Sequence, residues 1–399
     1  MAFDSKSGRG PDELSVLVIG TGFAGLGMGI KLKEAGIESF TILERADDVG
    51  GTWRDNNYPG CACDVQSHLY SYSFEPNPEW SRMFAPQPEI KAYLQRCAEK
   101  YGLLPHIRFQ AEVVRAEYDE AAALWNVTTR QGETYRARVL VSGMGGLSTP
   151  STPHIKGLEE FQGKTFHSAE WDHGYDLKGK RVAVIGTGAS AIQFVPQIAK
   201  DVARLDLYQR TPVWILPKPD REISAAERAL FKRFPAAQRA FRNSIYWMLE
   251  SRVLGFVINP RVMKLVQREA RGHIRRQVAD PALRRQLTPD YTIGCKRILI
   301  SDDFYLAVSR ANVGVISEGI RQVKAHSVIT EEGVEREVDA IIFGTGFKAQ
   351  EPVPRGAIFG RGGQDILDAW KDGAEAYKGT TVAGFPNLYL LVGPNTGLG

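Results

Sequence analysis

Two glycine-rich hexapeptides stand where an apolar strand gives way to a helix, and the residues that close the two units carry opposite charge. The first, Gly20-Thr21-Gly22-Phe23-Ala24-Gly25, follows Val16-Leu17-Val18-Ile19, and the next strand, Phe40-Thr41-Ile42-Leu43, ends in Glu44 with Arg45 beside it. The second, Gly186-Thr187-Gly188-Ala189-Ser190-Ala191, follows Val182-Ala183-Val184-Ile185, and its next strand, Leu205 to Gln209, ends in Arg210 and Thr211. Such a turn brings a dinucleotide pyrophosphate onto the N–H groups that open a helix, and the fingerprint tolerates Ala at its last position, here Ala191. An acid at the end of the second strand accepts hydrogen bonds from a free ribose and repels a 2′-phosphate, whereas an Arg clamps that phosphate. The expectation is therefore FAD at the first unit and NADPH at the second.

The elements that must hold these turns fit an α/β fold: two Rossmann-like dinucleotide-binding domains, the NADP domain inserted in the FAD domain, with a helical subdomain. The spacing predicts a helix from Pro88 to Tyr101. Three strands follow, around Arg108 to Tyr118, Trp125 to Thr129 and Tyr135 to Ser142. Pro150 and Pro153 mark the crossing to the second domain. The expected order is a flexible tail over 1–14, the first part of the FAD domain over 15–150 and the first part of the NADP domain over 151–223. A helical subdomain over 224–290, the rest of the NADP domain over 291–335 and the rest of the FAD domain over 336–399 complete it. The strand Ala340 to Phe343 opens into Gly344-Thr345-Gly346, a second place where backbone can approach a ligand. After Leu388 to Val392 the turn Gly393-Pro394-Asn395-Thr396-Gly397-Leu398-Gly399 stops where a helix is expected to begin, which reads as a truncated C-terminal segment.

Bulk properties exclude more than they select. The 399 residues are 43% hydrophobic and 24% charged, ordinary for a soluble globular chain of two or three domains, and the net charge of +4 does not argue for nucleic acid. The Arg-rich helices from Ser224 to Leu287 read as a solvated helix face. The most apolar helical stretch, Ile245 to Ile258, is broken by Glu250 and Arg252, so no membrane span is expected, and the polar N-terminus has no signal-type apolar core. Cys61, Cys63, Cys97 and Cys295 form no CxxC and no metal-type pair of pairs, which favours free thiols in a reducing, cytoplasmic compartment and no metal. One residue between Cys61 and Cys63 makes poor disulfide geometry, so both read as packing.

Two further patterns carry a resemblance. Phe161, Gly163, His167, Trp171 and Asp172 stand at the spacing FxGxxxHxxxW[PD] between the nucleotide units. Gly50-Gly51-Thr52-Trp53, Tyr58-Pro59-Gly60 and Asp64 fill every defined position of [AG]GxWxxxx[FY]P[GM]xxxD. Both patterns, in this order, resemble those of the type I Baeyer–Villiger monooxygenases, and the resemblance covers Ser15 to Gly399. It implies a flavoprotein in which NADPH reduces FAD, O2 is trapped as a C4a-peroxide, and a ketone becomes an ester or lactone. It assigns Arg297, after Lys296, to the peroxide anion, and Asp64 to orienting that Arg; Lys296 joins Arg210 and Thr211 at the 2′-phosphate. Gly51, Thr52, Trp53, Asp64, Gly344 to Gly346 and Asn395 are placed about the cofactors. His167 reads as structural or conformational rather than as a proton carrier, and Trp53, Tyr58 and Trp171 as packing or cofactor-shaping residues. Related flavin-containing monooxygenases oxidise S or N centres and form one alternative. A chain that binds nucleotides without turnover, because a C-terminal segment is missing, forms another.

Overall fold

The structure, a computed structural model, describes residues 13–251, 263–348 and 353–396. These fall into two compact units, one drawn from Met1–Asp55, Lys91–Thr149 and Phe347–Gly399, the other from Asn56–Ile90 and Pro150–Gly346.

In the first unit, strand Glu13–Ile19 lies between Phe40–Leu43 and Thr134–Ser142, parallel to both. A strand with a neighbour on each side and cover on both faces has no solvent face, so its sequence runs apolar without alternation. Leu388–Leu390 extends the parallel sheet from the second half of Thr134–Ser142, and Ile107–Arg108 extends it beyond Phe40–Leu43. The first half of Thr134–Ser142 turns instead into an antiparallel meander with Leu124–Thr129 and Val113–Asp119, edged by Ile358–Phe359. Trp125 is fully buried, packs with Leu17, Leu140, Ile358 and Phe385, and donates its indole N–H to the Pro386 carbonyl at 2.9 Å. Each large apolar side chain so buried contributes roughly 1.5–3 kcal/mol. Glu13 and Leu14, expected in the tail, already belong to the first strand; the remainder of that tail and Gly397 to Gly399 lie outside the described residues.

The second unit is built on five strands, all parallel, in the order Val313–Ile316, Arg204–Tyr208, Arg181–Ile185, Ala340–Phe343, Lys164–His167. Two boundaries differ from the sequence expectation. Ala340–Phe343, expected in the domain over 336–399, is hydrogen-bonded on both sides within this second sheet, so the division falls after Gly346. Residues 56–90, expected with 15–150, pack in the second unit, where Asp220 accepts from the Arg82 side chain and from the Phe84 N–H. An apolar run announces a buried strand but does not say which of two sheets supplies its partners.

The expected helical region forms as Ala225–Arg233, Pro235–Glu250, Met263–Gln277 and Pro281–Gln286. Ser224 and Glu227 form a capping box at the first, and Asp280 caps the last. Met263–Gln277 buries Met263, Ala270, His273 and Ile274 and turns Lys264, Arg268, Arg271 and Arg275 outward, the solvated basic face that its composition suggested. The apolar stretch Ile245 to Ile258 passes out of the described residues after Ser251. Among the described residues no helix is long and apolar enough to cross a membrane.

His68 anchors the loop beneath these helices. It is 2% exposed, lies edge-on to Phe231 and Phe241, and accepts at Nδ1 from the Gln238 amide at 3.1 Å. Burial pushes its pKa from 6.5 down to about 4. Between those values the unfolded chain holds a proton that the folded chain refuses, so stability is full above pH 6.5 and declines as the pH falls toward 4. The stabilisation lost across this window is about 3 kcal/mol. In chemical denaturation measured from pH 7 to pH 4, His68→Asn, which keeps an acceptor but does not titrate, should show a shallower decline than the parent. Equal slopes would mean that His68 does not set the acid limit.

Candidate active site

In the first unit the glycine turn is fixed by backbone contacts. Gly20 has φ +93°, and a methyl group at Gly25 would lie 1.8 Å from the Gly20 carbonyl oxygen, so helix Phe23–Glu34 starts directly against the strand that precedes it. Gly22 differs. Its φ of −76° suits any residue, and a Cβ there would meet nothing nearer than the Gly51 Cα at 3.7 Å. Phe23 stacks on Tyr93, and the Gly50 N–H donates to the Thr21 carbonyl at 3.0 Å, bringing Gly51, Thr52 and the buried Trp53 beside the turn.

Glu44, expected at a ribose, is 3% exposed and has its partners within the protein. Oε2 accepts from the Thr21 N–H at 2.9 Å and the Thr21 hydroxyl at 2.6 Å, while Oε1 accepts from the Ala46 N–H at 3.0 Å and is paired with Arg54 at 2.8 Å. A carboxylate has about four lone-pair directions, and all are taken. In this structure Glu44 therefore grips the turn through Thr21, and a ribose hydroxyl would have to compete with those partners. Arg45 is half exposed and bonds Asp55 at 2.9 Å. Asn395 is exposed, in a left-handed conformation (φ +61°), within the turn after Leu388–Leu390.

The second unit repeats the arrangement, with Gly344 opposite Gly186 as Gly143 is opposite Gly20. Gly186 has φ +101°, and a methyl there would lie 2.5 Å from the Gly344 carbonyl oxygen. Ala191 is fully buried, and a methyl at Gly344 would come within 3.0 Å of the Ala191 methyl. Thr187 is buried, and the Ser190 hydroxyl accepts from that of Ser168 at 3.1 Å. The Thr345 hydroxyl donates to the Ser151 carbonyl at 2.5 Å, and Gly346 has φ +77°. Gly188 is the counterpart of Gly22: the nearest atom to a Cβ there is 3.6 Å away. Arg210 and Lys296 are exposed and Thr211 half-buried; the Lys296 ammonium lies 4.9 Å from the Tyr291 ring centre. The segments carrying them enter one parallel ribbon, Ile215–Leu216 on Leu299–Ile300.

The Phe161 to Asp172 pattern is resolved as packing. A methyl at Gly163 would strike both the Asp339 carbonyl oxygen and the Phe161 ring at 2.5 Å. His167, 3% exposed, accepts at Nδ1 from the Ala169 N–H at 3.1 Å, and burial lowers its pKa. Trp171 meets Phe166 and Phe194 at 5.1 and 5.3 Å, and Asp172 pairs with Lys164 at 2.5 Å.

Asp64 and Arg297, 233 positions apart, are joined in the second unit by a bond from Arg297 Nη2 to Asp64 Oδ2 at 2.5 Å. Their side chains are 35% and 55% exposed. Arg297 stands two residues before the ribbon that Trp214 anchors; Trp214 is fully buried, and its indole N–H donates to the Tyr291 carbonyl at 2.9 Å. All four cysteines are free; burial pushes the Cys61 and Cys63 thiols up to about 12, and Cys295 is exposed. Sequence reasoning passed over Arg54 and Gln193. Nothing in the spacing of either marks it, since each acts on a segment remote in the helix or strand pattern.

The family described as flavin-binding monooxygenase-like matches residues 13–359. A Baeyer–Villiger monooxygenase of Pseudomonas aeruginosa is 63% identical over 96% of this chain and 73% of its own length. One of Streptomyces coelicolor is 50% identical over 97% of this chain and 75% of its own. The crystal structure of cyclohexanone monooxygenase from Rhodococcus sp. Phi1 bound to NADP+ superposes with a TM-score of 0.87 at 32% identity, covering 97% of this chain and 80% of that one. With two glycine turns on parallel sheets and this similarity over nearly its whole length, the chain belongs to the flavin-binding monooxygenases and, among them, to the FAD- and NADPH-dependent Baeyer–Villiger monooxygenases.

Proposed function

We propose that the chain converts a ketone to an ester or lactone, using NADPH and O2, with Arg297 as the fixed cation at the reacting oxygen and Asp64 as the residue that orients it. The observation that carries this reading is the Arg297–Asp64 bond, which ties the guanidinium to a carboxylate while engaging one of its five N–H groups. Both cofactor turns fit their ligands. Gly22 and Gly188 need to be glycine for no reason internal to the protein, since each leaves room for a Cβ, so the open space is reserved for an approaching pyrophosphate. Gly20 to Gly25, Gly51, Thr52 and Trp53, with Arg45 and Asn395, would hold FAD; Glu44 would shape that turn through Thr21. Gly186 to Ala191 and Gly344 to Gly346 would hold NADPH, with Arg210, Thr211 and Lys296 on its 2′-phosphate. Bound FAD, reduced by NADPH, supplies the activation of O2. The Arg297 guanidinium would donate to developing oxyanion charge, a contribution typically worth about 2.7–4 kcal/mol. The free thiols accord with a cytoplasmic location.

Three outcomes test this. Gly22→Ala and Gly188→Ala should leave thermal unfolding of the apoprotein unchanged, yet weaken FAD and NADP+ binding respectively by about tenfold or more. Fluorescence titration measures both, and a full-affinity variant would show that no ligand backbone passes that close. Arg210→Ala should raise the KM for NADPH far more than that for NADH, because only the phosphate contact is lost. Equal losses would give Arg210 another role.

Arg297→Ala should keep FAD and NADP+ while ester formation falls roughly 10²–10³-fold. Arg297→Lys should not restore it, since an ammonium on a flexible stem lacks the planar fork. Product analysis on linear, cyclic and aryl ketones, with sulfides and amines alongside, checks the reaction class. Near-normal ester yield from the Ala variant, or oxidation of S and N centres only, would sink the proposal.

A further inference from the structure

The segment that ends in Asp64 is held from two sides by different means. On one edge Cys63 N–H donates to the Ala85 carbonyl at 3.0 Å and Gln87 N–H donates to the Cys61 carbonyl at 2.9 Å, an antiparallel bridge between residue 62 and residue 86. Successive residues of an extended segment direct their N–H and C=O groups to opposite edges, so those of Ala62 face away from that bridge. Among the described residues no strand meets them. The Gln193 side chain does: its Nε2 donates to the Ala62 carbonyl at 3.0 Å, and its Oε1 accepts from the Ala62 N–H at 3.3 Å. A primary amide thus stands in for the peptide group of an absent strand. The same Oε1 accepts the Tyr58 hydroxyl at 3.0 Å.

Gln193 lies in the first turn of helix Ala191–Ile198, its own N–H bonded to the Ser190 carbonyl at 3.0 Å, directly after the Gly186–Ala191 turn. Gly60 (φ +78°) lies so close on this helix that a methyl there would come within 2.8 Å of the Gln193 carbonyl oxygen. Phe194, the next residue, contacts Tyr58 on one side and Trp171 on the other.

We infer that Gln193 is a positioning residue that ties the helix receiving the NADPH pyrophosphate to the Asp64–Arg297 pair, so that an occupied dinucleotide turn fixes the guanidinium. Asp64 is two residues beyond the clamped Ala62, and the exposed Asp64–Arg297 bond has little strength of its own. Its direction is set by the backbone that carries Asp64, and Gln193 holds one edge of that backbone. The inference rests on the reading of Arg297 given above, and it has a readout that does not need turnover.

In the FAD-loaded protein, NADP+ should slow hydrogen exchange at the Ala62 amide. Gln193→Met keeps the length of the side chain and loses its donors and acceptors. It should exchange faster at Ala62 and lose the response to NADP+, while Arg297→Ala retains both. Gln193→Met should also lower kcat roughly 10- to 100-fold, the cost of a slightly misplaced group, with the NADPH KM within about twofold of the parent. Gln193→Glu, which keeps the acceptor for Ala62 N–H and Tyr58 but not the donor, should fall between. Parent-like exchange at Ala62 and parent-like kcat in Gln193→Met would overturn the inference. A normal exchange pattern in an Arg297→Ala protein that still makes ester would instead count against the role of Arg297 and leave the clamp standing. Should Gln193→Met not fold, Tyr58→Phe, which removes one bond to the same amide, must show a smaller acceleration at Ala62; no acceleration there would equally overturn the clamp.

Discussion

Helix Phe23–Glu34 presses on its preceding strand with no side chain between, since a methyl at Gly25 would sit 1.8 Å from the Gly20 carbonyl oxygen. That backbone-on-backbone contact aims the open N–H groups of the helix at one place, and the site above them depends on it. The second unit meets the same demand at Gly186, whose φ is +101°. In both units a glycine follows the crossing strand: Gly143 opposes Gly20 and adjoins Gly25, and Gly344 opposes Gly186 and leaves the room that the Ala191 methyl occupies.

Charge is used differently at the two strand ends. Glu44 is buried, and a buried carboxylate must have each lone pair satisfied, so Thr21, Ala46 and Arg54 converge on it. It rigidifies the turn. Arg210, two residues beyond its strand, is exposed. The Asp64–Arg297 pair is a third case: with both side chains partly exposed, it contributes about 0–1 kcal/mol to stability. Its direction comes from the segments carrying each residue.

The pattern from Phe161 to Asp172 is built of packing and local hydrogen bonds. Gly163 admits the Phe161 ring, His167 caps the short turn after its strand, and Trp171 fills the space between Phe166 and Phe194. Phe194 also meets Tyr58, which belongs to the other fingerprint. Two patterns that are separate in the sequence thus share one aromatic cluster within the second unit.

Local sequence determined whatever depends on neighbours in the chain. The glycine turns, their flanking strands, helix Gln87–Lys100, the capped helices after Ser224 and the opposite charges of Glu44 and Arg210 were legible because turn conformation, apolar periodicity and caps are set within a few residues. Only the tertiary structure decided the rest. It assigned Ala340–Phe343 and residues 56–90 to the second unit, closed Glu44 within its own turn, and set the Gln193 amide against Ala62. Each of these rests on hydrogen bonds between segments far apart in sequence, and a donor or acceptor does not encode the distant group that will satisfy it.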